Sequence, residues 1–243
     1  MDRARPSALP KPPMLVVMGC GLGAAVRPAN DRVASERGSP ARSLANAEAS
    51  VVPPRMRTRM TEAASCTGTR WLSIVGIGED GIEGLSPVAQ KLVASAELVV
   101  GGKRHIGLAK TLIRGRTLAW PSPIGDALPE IEKHRGRPVV VLASGDPFHY
   151  GVGDLLLRSI PAAETLCLPN ASAFSLAAAR LGWSLQDVAL VSLHGRALEG
   201  IVRHLQPGAR ILALSWDGET PAKLATFLAE RGMGSSELTV LEA

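Results

Sequence analysis

The chain has 243 residues, 46% of them hydrophobic, enough for one large domain or two small ones around a real core. Its formal charge of +5 is lopsided: residues 1–70 hold 11 Lys/Arg against 5 Asp/Glu, whereas 71–243 hold 16 against 17. The nearly neutral second part excludes the basic face of a nucleic-acid binder, and no apolar run reaches the ~18 residues of a membrane-spanning helix.

Three separated cysteines, Cys20, Cys66 and Cys167, give neither metal-ligand spacing nor a disulfide framework. They fit a reducing compartment, so the expected location is cytoplasmic with no membrane association. The five histidines show no metal-ligand spacing either, and no metal is expected.

Residues 1–69 are rich in Arg, Pro, Ala and Ser, and all eight aromatic residues lie at Trp71 or beyond. A segment without large side chains lacks what offsets ordering entropy, so 1–69 is expected to be disordered or non-native. One apolar run inside it, residues 14–26, leads into Gly19-Cys20-Gly21-Leu22-Gly23. Three readings stay open for it: the core of an export or lipoprotein signal, a strand and glycine turn for a nucleotide, and remnant sequence ahead of a later start at Met56 or Met60.

From Trp71 strands and helices alternate. Residues 71–77 read as a strand, and Ser86-Pro87 as a cap and first turn before a helix whose inner face is Val88, Leu92, Val93 and Ala96. Strand 98–100, helix 105–112, strand 117–120, helix 124–134, strand 139–142, helix 153–160 and strand 165–168 follow. This order predicts an α/β fold with a mainly parallel sheet covered on both faces. A second unit begins near Pro169, with helix 171–181, strand 188–193, helix 198–205, strand 211–215, helix 221–231 and strand 238–241. The expected division is 1–69, an N-terminal α/β subdomain 70–168, and an incomplete C-terminal α/β subdomain 169–243.

Most of the chemistry-bearing residues follow the strands. Gly76-Ile77-Gly78-Glu79-Asp80-Gly81 closes the first strand, but the next helix begins only at Ser86, so no helix N-terminus sits on a dinucleotide pyrophosphate. Gly101-Gly102-Lys103-Arg104-His105 reads either as an anion-binding loop or as a solvated basic turn. Ala143-Ser144-Gly145-Asp146-Pro147-Phe148-His149-Tyr150-Gly151 cannot continue a strand, because Pro removes a donor and Gly admits an unusual backbone angle. The turn therefore falls at the carboxyl end of a buried strand, where α/β sheets bind small ligands. Ser172 reads as a helix cap or a ligand donor. Ser192 and His194 tempt a hydrolase reading, but no nucleophile elbow frames a serine.

These loops, in this order, resemble the tetrapyrrole methylase family, in particular its precorrin-6Y methylase branch. The similar runs are 75–81, 84–87, 100–105, 120–123, 142–147, 150–153, 174–182, 185–187, 191–196 and 238–242. The resemblance implies two α/β subdomains with S-adenosylmethionine in the cleft between them, a homodimer, and methyl transfer to carbon-5 of a precorrin in cobalamin synthesis. It implies a separate domain for methylation at carbon-15 and decarboxylation, and a first domain running past the last strand here, so the chain reads as shortened. An inactive fragment that binds a precorrin or a partner is the alternative.

The resemblance also implies site residues. Ser144, Gly145 and Asp146 form the cofactor loop with His149 and Tyr150 beside it; Ser172, Ala173, Leu193, Leu214 and Ser215 complete the cofactor contacts. Gly76 and Gly78 admit the macrocycle, and Lys103, Arg104, His105 and Arg196 are the cations for its carboxylates. The resemblance assigns no catalytic base, and the sequence gives no reason to choose Asp146 or His105 for it.

Overall fold

A computed structural model describes residues 14–18 and 70–242. Two all-parallel sheets organise it. The first has five strands, β2 (Leu72–Ile77), β3 (Leu98–Gly101), β4 (Arg116–Ala119), β5 (Val139–Ser144) and β6 (Thr165–Leu168), in the order β4-β3-β5-β2-β6. The central strands are apolar runs buried on both faces, as parallel strands beneath helices must be.

Helix α1 (Pro87–Ser95) lies on one face with Val75, Val99, Val140 and Leu142. Helix α2 (Lys103–Leu108) leads into Ala109 on that same face. Helices α3 (Leu128–Glu132) and α4 (Gly153–Leu157) contribute Ile131 and Leu156 to the other, with Ile74, Val100 and Val141. Ser86 caps α1 by accepting the Ala89 amide at 3.2 Å, and Pro87 takes the first turn. That start rotates the expected inner face: Ala89 and Val93 are buried, while Val88 is 56% exposed. The expected helix 124–134 opens instead as a 3-10 turn, Ile124–Ala127, before α3, where Pro129 cannot donate to the preceding turn.

The second sheet corrects the reading of the N-terminal segment. Its strands are β1 (Met14–Met18), β7 (Ala189–Ser192), β8 (Arg210–Leu214) and β9 (Glu237–Leu241), in the order β7-β8-β1-β9. Met14–Met18 is thus an inner strand, parallel to β8 through Met14↔Arg210 and to β9 through Met14↔Glu237. Leu15 and Val17 pack with Ile201 and helix α6 (Thr220–Glu230) on one face; Val16 and Met18 pack with helix α5 (Ala173–Leu181) on the other. The expectation of disorder fails for these five residues because two neighbouring strands and two helical layers bury four of them. The second unit is therefore not one continuous stretch beginning at 169. Gly19–Gly23 and the remainder of 1–69 lie outside the described residues. The expected helix at 198–205 is a 3-10 helix, Leu198–His204.

Candidate functional site

The chain order of the first sheet creates a crevice at its carboxyl edge. Neighbouring strands β3 and β5 send their chains in opposite directions, β3 outward through α2 to edge strand β4 and β5 through α4 to edge strand β6. Such a switch point is where parallel α/β sheets place ligands. The loops after β3 and β5 are the two that carry the chemistry.

Backbone packing draws the loop after β5 against the start of α5. The Asn170 amide donates to the Gly145 carbonyl at 3.0 Å. Gly145 has a φ of 52°, and a Cβ there would meet the Ala171 carbonyl oxygen at 2.7 Å. Gly76 comes as close from the other side, since a Cβ on it would overlap the Gly145 carbonyl oxygen. Asp146 Oδ1 accepts the Phe148 amide at 2.9 Å, closing a small turn. Ser172 caps α5, accepting from the Ser175 amide at 3.2 Å, so it satisfies the helix end first.

Aromatic rings join the two sheets. His149 stacks on Phe174 with centroids 4.5 Å apart, and Tyr150 leans on the same ring at 5.8 Å. The Tyr150 hydroxyl donates to the Leu190 carbonyl on β7 at 3.2 Å, and the Arg196 guanidinium lies 5.4 Å from the Tyr150 ring centre. Tyr150 holds a φ of 59°, unusual for a residue with a side chain, and the three contacts fix it there. Along the second sheet, the Leu193 amide donates to the Leu214 carbonyl at 2.9 Å and the Ser215 amide to the Met18 carbonyl at 2.8 Å. Met18, Leu193, Leu214 and Ser215 are thereby tied into one carboxyl edge. Trp216 follows, 40% exposed, above a turn in which Asp217 accepts from Thr220.

The loop after β3 departs from its expected electrostatics. Arg104 forms an ion pair with Glu79, from the loop after β2. Lys103 and Arg196 are exposed. Burial, aided by the Arg104 charge, holds the His105 imidazole below its ordinary value and so disfavours the cationic form expected of it. Its Nε2 lies 2.8 Å from Ser144 Oγ. Gly78 faces Asp80 closely, with room for a Cβ only 2.6 Å from the carboxylate oxygen.

The expected residues therefore fall into connected groups: Gly76, Gly145 and the 170–172 segment; His105 with Ser144; His149, Tyr150 and Arg196; and Leu193, Leu214 and Ser215. Sequence reasoning missed Phe174, Asn170 and Glu79. Phe174 begins an apolar helix face and carries no local mark of a stacking role, whereas the acidic Glu79 facing a basic loop was a readable signal. A cavity of about 190 Å³ lies at the opposite, amino end of β2 and β5, lined by Arg70, Trp71 and Arg137 among others. It is remote from these groups, and the carboxyl-edge crevice better matches where parallel sheets carry chemistry.

Comparison with known proteins identifies the family. A precorrin-6Y C(5,15)-methyltransferase [decarboxylating] of Sinorhizobium is 54% identical over 173 residues, 71% of this chain and 42% of that protein. A cobalt-precorrin-7 C(5)-methyltransferase of Salmonella typhimurium is 31% identical over 174 residues, 70% of this chain and 84% of its own length. The crystal structure of a precorrin-6Y methylase from Archaeoglobus fulgidus superposes with a TM-score of 0.51 at 29% identity, covering 64% of this chain and 78% of the other. The chain thus spans less than half the length of the two-position relatives and most of the one-position relative. With residues 72–243 matching the tetrapyrrole (corrin/porphyrin) methylases, the chain belongs to that family.

Proposed function

We propose that this chain is an S-adenosylmethionine-dependent methyltransferase acting on carbon-5 of a precorrin in cobalamin biosynthesis. The observation that carries the reading is the Ser144–Asp146 turn, clamped between Gly76 and the 170–172 segment at the β3/β5 crevice. The choice of carbon-5 rests on the coverage pattern: the relative named for carbon-5 alone is matched over 84% of its length, and those named for both positions over 42%. Methylation at carbon-15 and decarboxylation are assigned to a separate domain. A homodimer and a cytoplasmic location complete the reading on the family's pattern; no helix among the described residues is long and apolar enough to cross a membrane.

The residues fit the methyl donor. Gly145 leaves backbone without a side chain at the turn, Asp146 places a carboxylate beside it for a cationic ligand, and His149, Tyr150 and Phe174 give an aromatic wall. When bound, S-adenosylmethionine supplies a methyl group activated by its sulfonium charge. The protein's part is orientation and electrostatics, because the electron-rich macrocycle is itself the nucleophile. Ser144, Gly145 and Asp146 hold the donor, with Leu193, Leu214 and Ser215 as the facing wall. Lys103, Arg104 and Arg196 receive the macrocycle's carboxylates. Arg104 must first exchange Glu79 for a substrate carboxylate, which costs little in so exposed a pair.

Calorimetric titration with S-adenosylmethionine, followed by precorrin turnover, tests the reading. Asp146→Asn keeps an oxygen for the Phe148 amide and removes the charge. It is expected to weaken donor binding about tenfold, the scale of one charge-assisted contact, with the fold unchanged by circular dichroism. Unchanged affinity removes Asp146 from the donor site. Arg104→Ala is expected to raise the precorrin KM about tenfold while leaving donor affinity alone. Equal losses for both ligands contradict that division of the loops.

A further inference from the structure

Methylating a ring carbon that carries hydrogen leaves a proton to be removed, and the crevice holds a pair of side chains placed for that step. Ser144 ends β5, and His105 lies in the first turn of α2, directly after β3. Their 2.8 Å contact bridges the switch point between the two strands. Gly101 lies beside the pair: a Cβ there would stand 3.1 Å from Leu142 Cβ on β5 and 3.7 Å from His105 Cβ, so a side chain would crowd both.

The imidazole is unlike a structural histidine. His134, which is buried, anchors Nδ1 on the Glu130 carbonyl at 2.9 Å. His105 Nδ1 is buried with no partner, which leaves Ser144 as the ring's hydrogen-bonded neighbour. Burial and the Arg104 charge lower the ring's proton affinity and so favour its neutral form, which has a lone pair to accept a proton. Arg104 is the charge that acts on the ring; Lys103 shares α2 with it, Glu79 pairs with Arg104 from the loop after β2, and Asp146 follows Ser144 by two residues in sequence. The ends of β3 and β4 bring Gly101, Gly102, Ala119 and Trp120, none of which titrates. Ser144 is exposed and can meet a substrate that His105, half-buried, cannot meet as freely. Other candidates are less suited: Asp146 is engaged with the Phe148 amide and His149 is held in the aromatic stack.

We propose that His105, acting through the Ser144 hydroxyl, accepts the proton released from the ring carbon methylated in this site. The inference rests on the precorrin methylation proposed above. The ring carbon forms a bond to the methyl group with its own electron pair. The methyl–sulfur bond breaks with its pair going to sulfur, leaving a neutral thioether. The carbon's proton passes to Ser144 Oγ as the Ser144 proton passes to His105 Nε2. One positive charge leaves sulfur and one appears on the imidazole, so charge balances and no further reactant is needed.

The test uses the full chain with His105→Gln and Ser144→Ala. Three quantities are read: the pH titration of the His105 ring by NMR, S-adenosylmethionine affinity by calorimetry, and kcat against pH for precorrin methylation. In the unaltered protein His105 is expected to titrate below the ordinary ~6.5 of imidazole, and kcat to rise with pH through the same ionisation. His105→Gln is expected to lose that limb and about 100-fold in kcat, with donor affinity within about twofold. Ser144→Ala should shift the His105 titration, because the ring loses its partner. Full kcat with an unchanged pH profile in His105→Gln overturns the proposal, and so does His105 titrating above the ordinary value. Parallel loss of donor affinity and kcat in that variant makes His105 structural and overturns it as well. An unaltered chain that binds the donor but methylates no precorrin overturns the substrate reading, and this step with it.

Discussion

Val16→Asp is expected to unfold the second sheet. Val16 is 1% exposed, on a strand with ladder partners on both sides. Its side chain packs with Phe174, Ala177, Ala178 and Leu212. A carboxylate there has no cation within that cluster, and burying an unpaired charge costs several kcal/mol against a typical total stability of about 5–15 kcal/mol. Because Phe174 also supports His149 and Tyr150, donor binding should vanish with the sheet. Val88→Asp is the control: that residue is 56% exposed on α1, and the thermal midpoint should barely move. Thermal melts by circular dichroism, with hydrogen exchange at β8 and β9, make the comparison. A Val16→Asp protein with unaltered melting and protection would show that β1 contributes no stability to its sheet.

Gly76→Val is expected to abolish donor binding by a different route. The first sheet should survive, since β2 keeps its ladders to β5 and β6. A Cβ at 76 overlaps the Gly145 carbonyl and crowds the Asn170 amide, so the Ser144–Asp146 turn must move away from the 170–172 segment. Overpacking of this kind costs about 1–3 kcal/mol, while a displacement near 1 Å at a positioned group costs on the order of 100-fold in rate. S-adenosylmethionine affinity by calorimetry should fall at least about 100-fold, with the melting temperature lowered by only a few degrees. Retained micromolar affinity would show that the turn does not position the donor.

Much of the fold is written in local pattern. Strand 165–168 and the sharp turn at Gly145-Asp146-Pro147 follow from apolar runs cut off by residues that cannot extend a ladder. What escaped lies where distant chain segments decide. Met14–Met18 is five apolar residues amid Arg and Pro, for which a strand is one of three open readings; its place inside the second sheet is not legible, because its partners stand at the far end of the sequence. Val88 reads as inner face on spacing alone; the cap at Ser86 sets the phase that turns it outward. The site shows the same division. The Ser144–Asp146 turn and the position of the loop after β3 are legible, since turn chemistry is local. The lowered proton affinity of His105 is not, because burial is a tertiary property, and the Phe174 platform exists only once His149 and Tyr150 fold over it.

The inner position of β1 also orders the events of folding. Met14 and Arg210 are ladder partners about two hundred residues apart, so their pairing is among the most non-local contacts in the chain, the kind that slows folding. During synthesis β1 leaves the ribosome long before β8 and β9 exist. The whole first sheet, whose strands lie between residues 72 and 168, can form while β1 waits unpaired. Closing so long a loop adds only logarithmically to the entropic cost, so the finished sheet is not weakened by its connectivity. The hazard is one of time: an apolar strand with open edges is exposed to other chains until its slot between β8 and β9 is made. Folding of this protein should therefore be biphasic, with the first sheet protected early and the second sheet, together with the Phe174 platform, gaining protection only when its oldest strand is finally enclosed by its youngest.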